Sequence, residues 1–232
     1  MSIQAVLFDV DFTICRPGPE LRPEAYAERG RSFGLRLDPQ LFEPTRLQAL
    51  ADLKRNTKLV HDDEIWISFS ERIIRGMGGA GAGVRALAET MVSAWEQAEH
   101  FELYEDVLPT LRALREFDLK LGLVSNTARD LAAFVAHHEL DVDAVLGARE
   151  HGRTKPDPSI FASALRLLGV EPALTAMVGD SIEDDVDGAS ALGMHAFLLD
   201  RNGIHSGYPN RLRSLYELPK LLGVSREASP AS

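Results

Sequence analysis

Cysteine is almost absent. The 232-residue chain holds one, Cys15, so no internal disulfide can form and a reducing cytoplasm is the expected setting. No run of about 18 apolar residues occurs, so no membrane-spanning helix is expected. The first residues lack a basic segment followed by an apolar stretch, so nothing reads as a secretion signal. No internal repeat is found. Positive charge is scarce: 25 Lys and Arg face 35 Asp and Glu, for a net charge of −10. That balance disfavours a nucleic-acid partner, whose phosphates must be met by Lys and Arg. It leaves room for a small phosphorylated substrate, because a bound divalent cation reverses the local sign. What is present is ordinary for a globular protein, 45% hydrophobic and 26% charged, with length enough for one large domain or two smaller ones.

The pattern changes along the chain. An apolar run at 3–9 with β-branched members reads as a strand. "RPGPELRP" reads as a loop. From about 23 to 100 the spacing is helical: Trp66, Phe69, Ile73 and Met77 form one stripe, and Val84, Leu87, Ala88, Met91, Val92 and Trp95 another. The glycine-rich stretch 76–83 divides this region and is read as a flexible loop. After about 105, short apolar runs alternate with helices. Strands are expected at 119–125, 143–148, 175–180 and 195–199, and helices at 107–117, 128–139, 158–168 and 184–193. Alternation of this kind predicts a parallel sheet with helices on both faces. The expected architecture is therefore α/β: a Rossmann-like parallel sheet core (1–16 and 101–224), an inserted all-helical cap (17–100) and a flexible tail (225–232). Ligands in such sheets bind beyond the carboxyl ends of the strands, and a cleft is expected between core and cap.

Chemistry-bearing residues gather at those strand ends. The first strand stops in Asp9 and Asp11, which in extended chain leave on the same side. The next ends in Ser125, Asn126 and Thr127. A loop brings Lys155, and a further strand end brings Asp180, Glu183, Asp184, Asp185 and Asp187. Carboxylates converging in this way repel one another unless a hard cation joins them, and Mg²⁺ is the natural choice. A lysine and a small hydroxyl are the groups needed to hold a phosphoryl oxygen. Blander roles suffice elsewhere. Glu183 and Asp187 suit a helix N-terminus, Cys15 suits a small buried position, Trp66 and Trp95 suit a core, and His137 and His138 lie away from the strand ends.

Four motifs stand in order: "DVDFT" (9–13), "VSN" (124–126), "KPDP" (155–158) and "GDSIEDD" (179–185). In this the sequence resembles the haloacid dehalogenase superfamily, in the branch with a helical cap between the first two motifs. The resemblance implies a hydrolase acting on a small phosphorylated metabolite. Asp9 would be the nucleophile and Asp11 the acid and base. Ser125, Asn126 and Lys155 would hold the phosphate. Mg²⁺ would be bound by Asp9, Asp180 and the Asp11 carbonyl, with Asp185 placing Lys155 or a metal-bound water. Both Asp184 and Asp185 have suitable spacing after Asp180; Asp185 aligns with the acid before V-x-G-A. The resemblance also leaves open a phosphosugar mutase, a 2-haloacid dehalogenase and a non-catalytic binding protein. Asp11 and Asp180 favour phosphoryl transfer over dehalogenation. One position departs from the family: Phe12 stands where Gly, Asn or Asp is usual. Either the turn keeps φ negative there or strain is tolerated. Specificity is expected from the cap.

Overall fold

The computed structural model describes residues 2–55 and 63–224. The expected tail, 225–232, lies outside them. Among the described residues no helix is long and apolar enough to cross a membrane. The strands among the described residues are β1 (Ala5–Phe8), β2 (Cys15–Pro17), β3 (Phe101–Leu103), β4 (Lys120–Ser125), β5 (Ala144–Gly147), β6 (Thr175–Gly179), β7 (His195–Leu199) and β8 (Arg211–Leu212). Six of them form one parallel sheet in the order β5-β4-β1-β6-β7-β8. β1 is central: Ala5 pairs with Lys120 on one side and Thr175 on the other. All four of its residues are buried, as a strand covered on both faces requires. This is the Rossmann-like α/β fold. Leu7, Val124 and Met177 share a buried cluster with Ile160, Phe161 and Leu168.

The chain divides into two compact units. One comprises the residues up to Arg16, Leu103–Thr127 and Leu131 onwards; the other comprises Pro17–Glu102 and Ala128–Asp130. The second unit is built on α1 (Pro23–Ser32), α2 (Phe42–Arg55), α3 (Asp63–Gly76) and α4 (Gly83–Glu96). On α4 the residues Val84, Leu87, Ala88 and Met91 are buried, one stripe at helical spacing. Trp66 and Trp95 are half-buried, and the Trp95 indole donates to the Tyr26 hydroxyl at 2.9 Å.

The first unit carries α5 (Val107–Arg115), α6 (Leu131–His137), α7 (Ala148–His151), α8 (Pro158–Leu168), α9 (Gly188–Ser190) and α10 (Leu218–Leu221). Several expected helices are shorter than their apolar pattern. The expected helix at 184–193 is a wide π turn, Ile182–Asp187, followed by α9. Two features escape the sequence pattern: the short edge strand β8, and the two-stranded sheet of β2 and β3. Strands of two or three residues carry too few side chains to show a period.

The glycine-rich stretch 76–83 is not the loose loop expected. Met77 is 1% exposed and its carbonyl accepts from the Asp38 N–H at 2.8 Å. A Cβ on Gly79 would stand 2.8 Å from the Ile74 carbonyl oxygen, and one on Gly83 would collide with the Phe33 carbonyl. Gly79 and Gly83 let backbones approach, and Gly78 and Gly81 take positive φ. Gly83→Ala therefore sets helix propensity, worth about 1 kcal/mol in favour of alanine, against overpacking on backbone that cannot swing aside, worth about 1–3 kcal/mol. The expected outcome is a net loss of stability, read as a lower urea midpoint by circular dichroism. A gain would show that the close approach relaxes freely.

Candidate active site

β1 delivers Asp9 to the carboxyl edge of the sheet. Its N–H continues the pairing with β6 by donating to the Val178 carbonyl at 2.9 Å, and the residue is 6% exposed. Lys155 reaches it from the loop before α8. That loop is fixed at both ends. Asp157 caps α8 by accepting from the Ser159 N–H at 2.9 Å, and Pro158 takes the first helical position, where its missing N–H costs nothing. At the other end Asn126 grips the main chain of Lys155: its Oδ1 accepts from the Lys155 N–H at 2.7 Å and its Nδ2 donates to the Lys155 carbonyl at 3.0 Å. The Lys155–Pro156 peptide is cis.

The Lys155 ammonium donates to Asp9 Oδ1 at 2.6 Å, Asp185 Oδ1 at 2.6 Å and the Val124 carbonyl at 3.0 Å. All three of its protons are thus directed. Asp185 is held in turn by the Ser181 N–H, which donates to its Oδ2 at 3.0 Å. The π turn aims it: Ser181 accepts from the N–H groups of both Asp185 and Val186, and Asp185 is buried while Asp184 is only partly so. Gly179 makes the room, since a Cβ there would overlap the Asp185 carboxylate.

Oxygens of Asp9, Asp180 and Asp185 all lie within 4.8 Å of one another. Three carboxylates face one ammonium, and the charges show it. Burial would strip Lys155 of its proton, but Asp185 and Asp9 outweigh that and hold its pKa above the ordinary lysine value. Burial pushes Asp9 well up despite Lys155, helped by Asp185 and Asp180. Asp180 is exposed at the strand end, yet protein atoms crowd it; that desolvation, then the Asp185 charge, lifts its carboxyl to about 7. A donor set made of oxygens alone, with carboxylates that resist ionising together, fits a hard divalent cation such as Mg²⁺.

Asp11 lies beyond β1, on a turn in which the Val10 carbonyl accepts from Thr13, Ile14 and Cys15. Phe12 within it has φ 65, so the strained alternative is the one realised. For a bulky residue this left-handed conformation costs about 1–2 kcal/mol. Ser125, 1% exposed, accepts from the Thr127 N–H at 3.3 Å.

The arrangement is that of a family. The pattern of the haloacid dehalogenase-like hydrolases matches residues 3–193. This chain belongs to that family and is a hydrolase. It is 32% identical to haloacid dehalogenase-like hydrolase domain-containing protein 3 of Bos taurus, over 86% of this chain and 82% of the relative. It is 32% identical to a glyceraldehyde 3-phosphate phosphatase of Methanopyrus kandleri, over 83% and 82%. Among solved structures, a HAD phosphatase from Thermococcus onnurineus superposes with a TM-score of 0.64 at 28% identity, covering 97% of this chain and 100% of that one.

The structure brings Asp9, Lys155, Asp180 and Asp185 together. Asn126, expected on the phosphate, has its carboxamide committed to the Lys155 main chain, because both of its polar atoms find backbone partners there. Sequence reading missed that clamp, and it missed Gly179. The glycine directly before Asp180 was the available signal for the second. A carboxyl whose folded pKa lies above its unfolded value stabilises fully below the unfolded value, and that contribution is lost as pH rises through the folded one. In chelator, the protein should lose stability between about pH 4 and pH 7, where Asp180 is ionised in the unfolded chain and still protonated in the folded one, whereas Asp180→Asn should lose less. Equal slopes of melting temperature against pH would remove Asp180 from the strained cluster.

Proposed function

We propose that this hydrolase is a Mg²⁺-dependent phosphatase of a small phosphate monoester, working through an aspartyl-phosphate on Asp9, in the cytoplasm. The observation that carries the reading is Asp9 itself: a buried carboxylate at the end of the central strand, 2.6 Å from a fixed lysine and beside a second acid, Asp180, that resists ionising. The phosphatase relative supports the reaction class. The net negative charge disfavours a nucleic-acid substrate.

Asp9 attacks phosphorus and the ester oxygen departs, giving the aspartyl-phosphate. Asp11 gives that oxygen its proton, then takes one from the water that attacks phosphorus in the second step. Lys155 supplies positive charge where the phosphoryl group sits, and Ser125 a hydroxyl. Asn126 acts by holding Lys155 in place. Asp185 keeps the ammonium charged and aimed. Asp9, Asp180 and the Asp11 carbonyl would hold the Mg²⁺, with Asp185 within reach. The ion supplies charge neutralisation for the approach of one anion to another.

Hydrolysis of p-nitrophenyl phosphate should therefore stop in chelator and return with Mg²⁺. Undiminished turnover after thorough metal removal would sink the reading. Halide release from a 2-haloacid without metal would favour dehalogenase chemistry instead.

Asp9 and Asp11 should fail differently. Asp9→Asn should abolish turnover at the first step. Asp11→Asn should lose about 10²–10⁴ in rate, and with a leaving group as good as p-nitrophenolate the loss should fall on the second step. Rapid quench and mass spectrometry of the Asp9 peptide should then show a phosphate adduct accumulating. No adduct in any variant would leave Asp9 as a metal ligand only.

A further inference from the structure

One buried ion pair in the α/β unit takes no part in the reaction just described, yet it touches the turn that carries Asp11. Asp106 is 2% exposed and follows β3. Arg201, in the segment after β7, meets it with two parallel bonds, Nη1 to Oδ2 at 2.8 Å and Nη2 to Oδ1 at 2.9 Å. Asp106 Oδ2 also accepts from the Ser214 hydroxyl at 2.6 Å and the Leu215 N–H at 2.8 Å. These partners hold its carboxyl below the usual range although burial opposes them. The guanidinium lies 3.9 Å over the Tyr104 ring, and the Tyr104 N–H donates to the Ile14 carbonyl at 3.1 Å. Finally, Arg201 Nη2 donates to the Thr13 carbonyl at 2.8 Å.

Arg201 thus grips the 10–15 turn from outside, through Thr13 directly and through Tyr104 and Ile14 indirectly. The turn needs such a grip. Three of its own bonds share one acceptor, the Val10 carbonyl, a fourth runs from the Phe12 N–H to the Cys15 carbonyl at 2.7 Å, and Phe12 sits in it with positive φ. A backbone in a sparsely populated conformation persists only where its surroundings over-determine it. The two acids depend on this turn unequally. Asp9 is set by the sheet, through its N–H on Val178, and by Lys155. Asp11 lies outside the six-stranded sheet, in an isolated bridge with Cys15, so its direction follows the turn.

We propose that Arg201, fixed by Asp106, is a positioning residue for Asp11: it acts on proton transfer to the leaving group and not on the attack by Asp9. This rests on the phosphatase reading above. The planar fork matters, because one guanidinium must serve a carboxylate and a carbonyl at once.

The test compares kcat/KM for p-nitrophenyl phosphate with that for phenyl phosphate, whose leaving group, with a pKa of about 10 like that of a tyrosine phenol, needs a proton to depart. Two variants are used: Arg201→Gln, and Arg201→Gln with Asp106→Asn, which leaves no unpaired buried charge should the single variant fail to fold. The expected result is a rise of about tenfold or more in the preference for p-nitrophenyl phosphate, as a displacement near 1 Å can cost about a hundredfold. In an Asp11→Asn background the same changes should leave the preference where Asp11→Asn alone puts it. A uniform fall on both esters would make Arg201 a structural staple and overturn the proposal, as would an undiminished shift in the Asp11→Asn background. A wild-type protein that hydrolyses neither ester would overturn the phosphatase reading and this inference with it; an active wild type with an unmoved ratio in the variants overturns the inference alone.

Discussion

A lysine ammonium only 3% exposed keeps its proton only where carboxylates surround it, and the rest of the site follows from that constraint. Lys155 could not be left in a protein interior alone; its charge would cost many kcal/mol or be given up. Asp9 and Asp185 keep it charged, the Val124 carbonyl takes its third proton, and the three contacts come from three separate segments: the end of β1, β4 and the π turn after β6. Removing Lys155 itself leaves the buried acids without their cation, a loss of about 3–5 kcal/mol for pairs of this kind. The sheet, the α8 cap and the Asn126 clamp can all be understood as the means of keeping this ammonium in one place.

The same constraint leaves the site unfinished electrostatically. One lysine does not balance Asp9, Asp180 and Asp185, and the excess appears as carboxyls that resist ionisation. A site that stores like charge is poorly stable by itself and has high affinity for whatever neutralises it. Stability and function therefore pull in opposite directions at the carboxyl edge of β1 and β6. The fold compensates with a central strand buried along its whole length and a tightly interlocked apolar cluster beneath.

Much of this was legible in the sequence because the relevant signals are local. Alternating apolar runs and helical stripes gave the parallel sheet, and the acids at the ends of those runs stood out against them. Less was legible wherever a residue's neighbour is distant in the chain. Asn126 stands in its motif as a candidate phosphate ligand, and the second role of its side chain, the clamp on the Lys155 main chain 29 positions away, has no local signal. The glycines of 76–83 look like freedom, yet Gly79 and Gly83 serve close approach of backbones. Phe12 left two conformations open, and a choice between them needs the turn's hydrogen bonds. The pairing of Arg201 with Asp106 spans 95 residues, and nothing in either stretch announces it.

The family, the α/β class and the order in which acids and lysine arrive at the sheet's edge are legible along the chain, because side-chain periodicity and motif spacing are local properties of it. The alignment before V-x-G-A favours Asp185 over Asp184, and the folded chain places Asp185 against Lys155. Tertiary structure alone decided that Phe12 takes a positive φ and that Asn126 serves the backbone. Each of those outcomes depends on distances between segments brought together by burial of the sheet, and a hydrogen bond near 3 Å is fixed only when both of its partners have been placed.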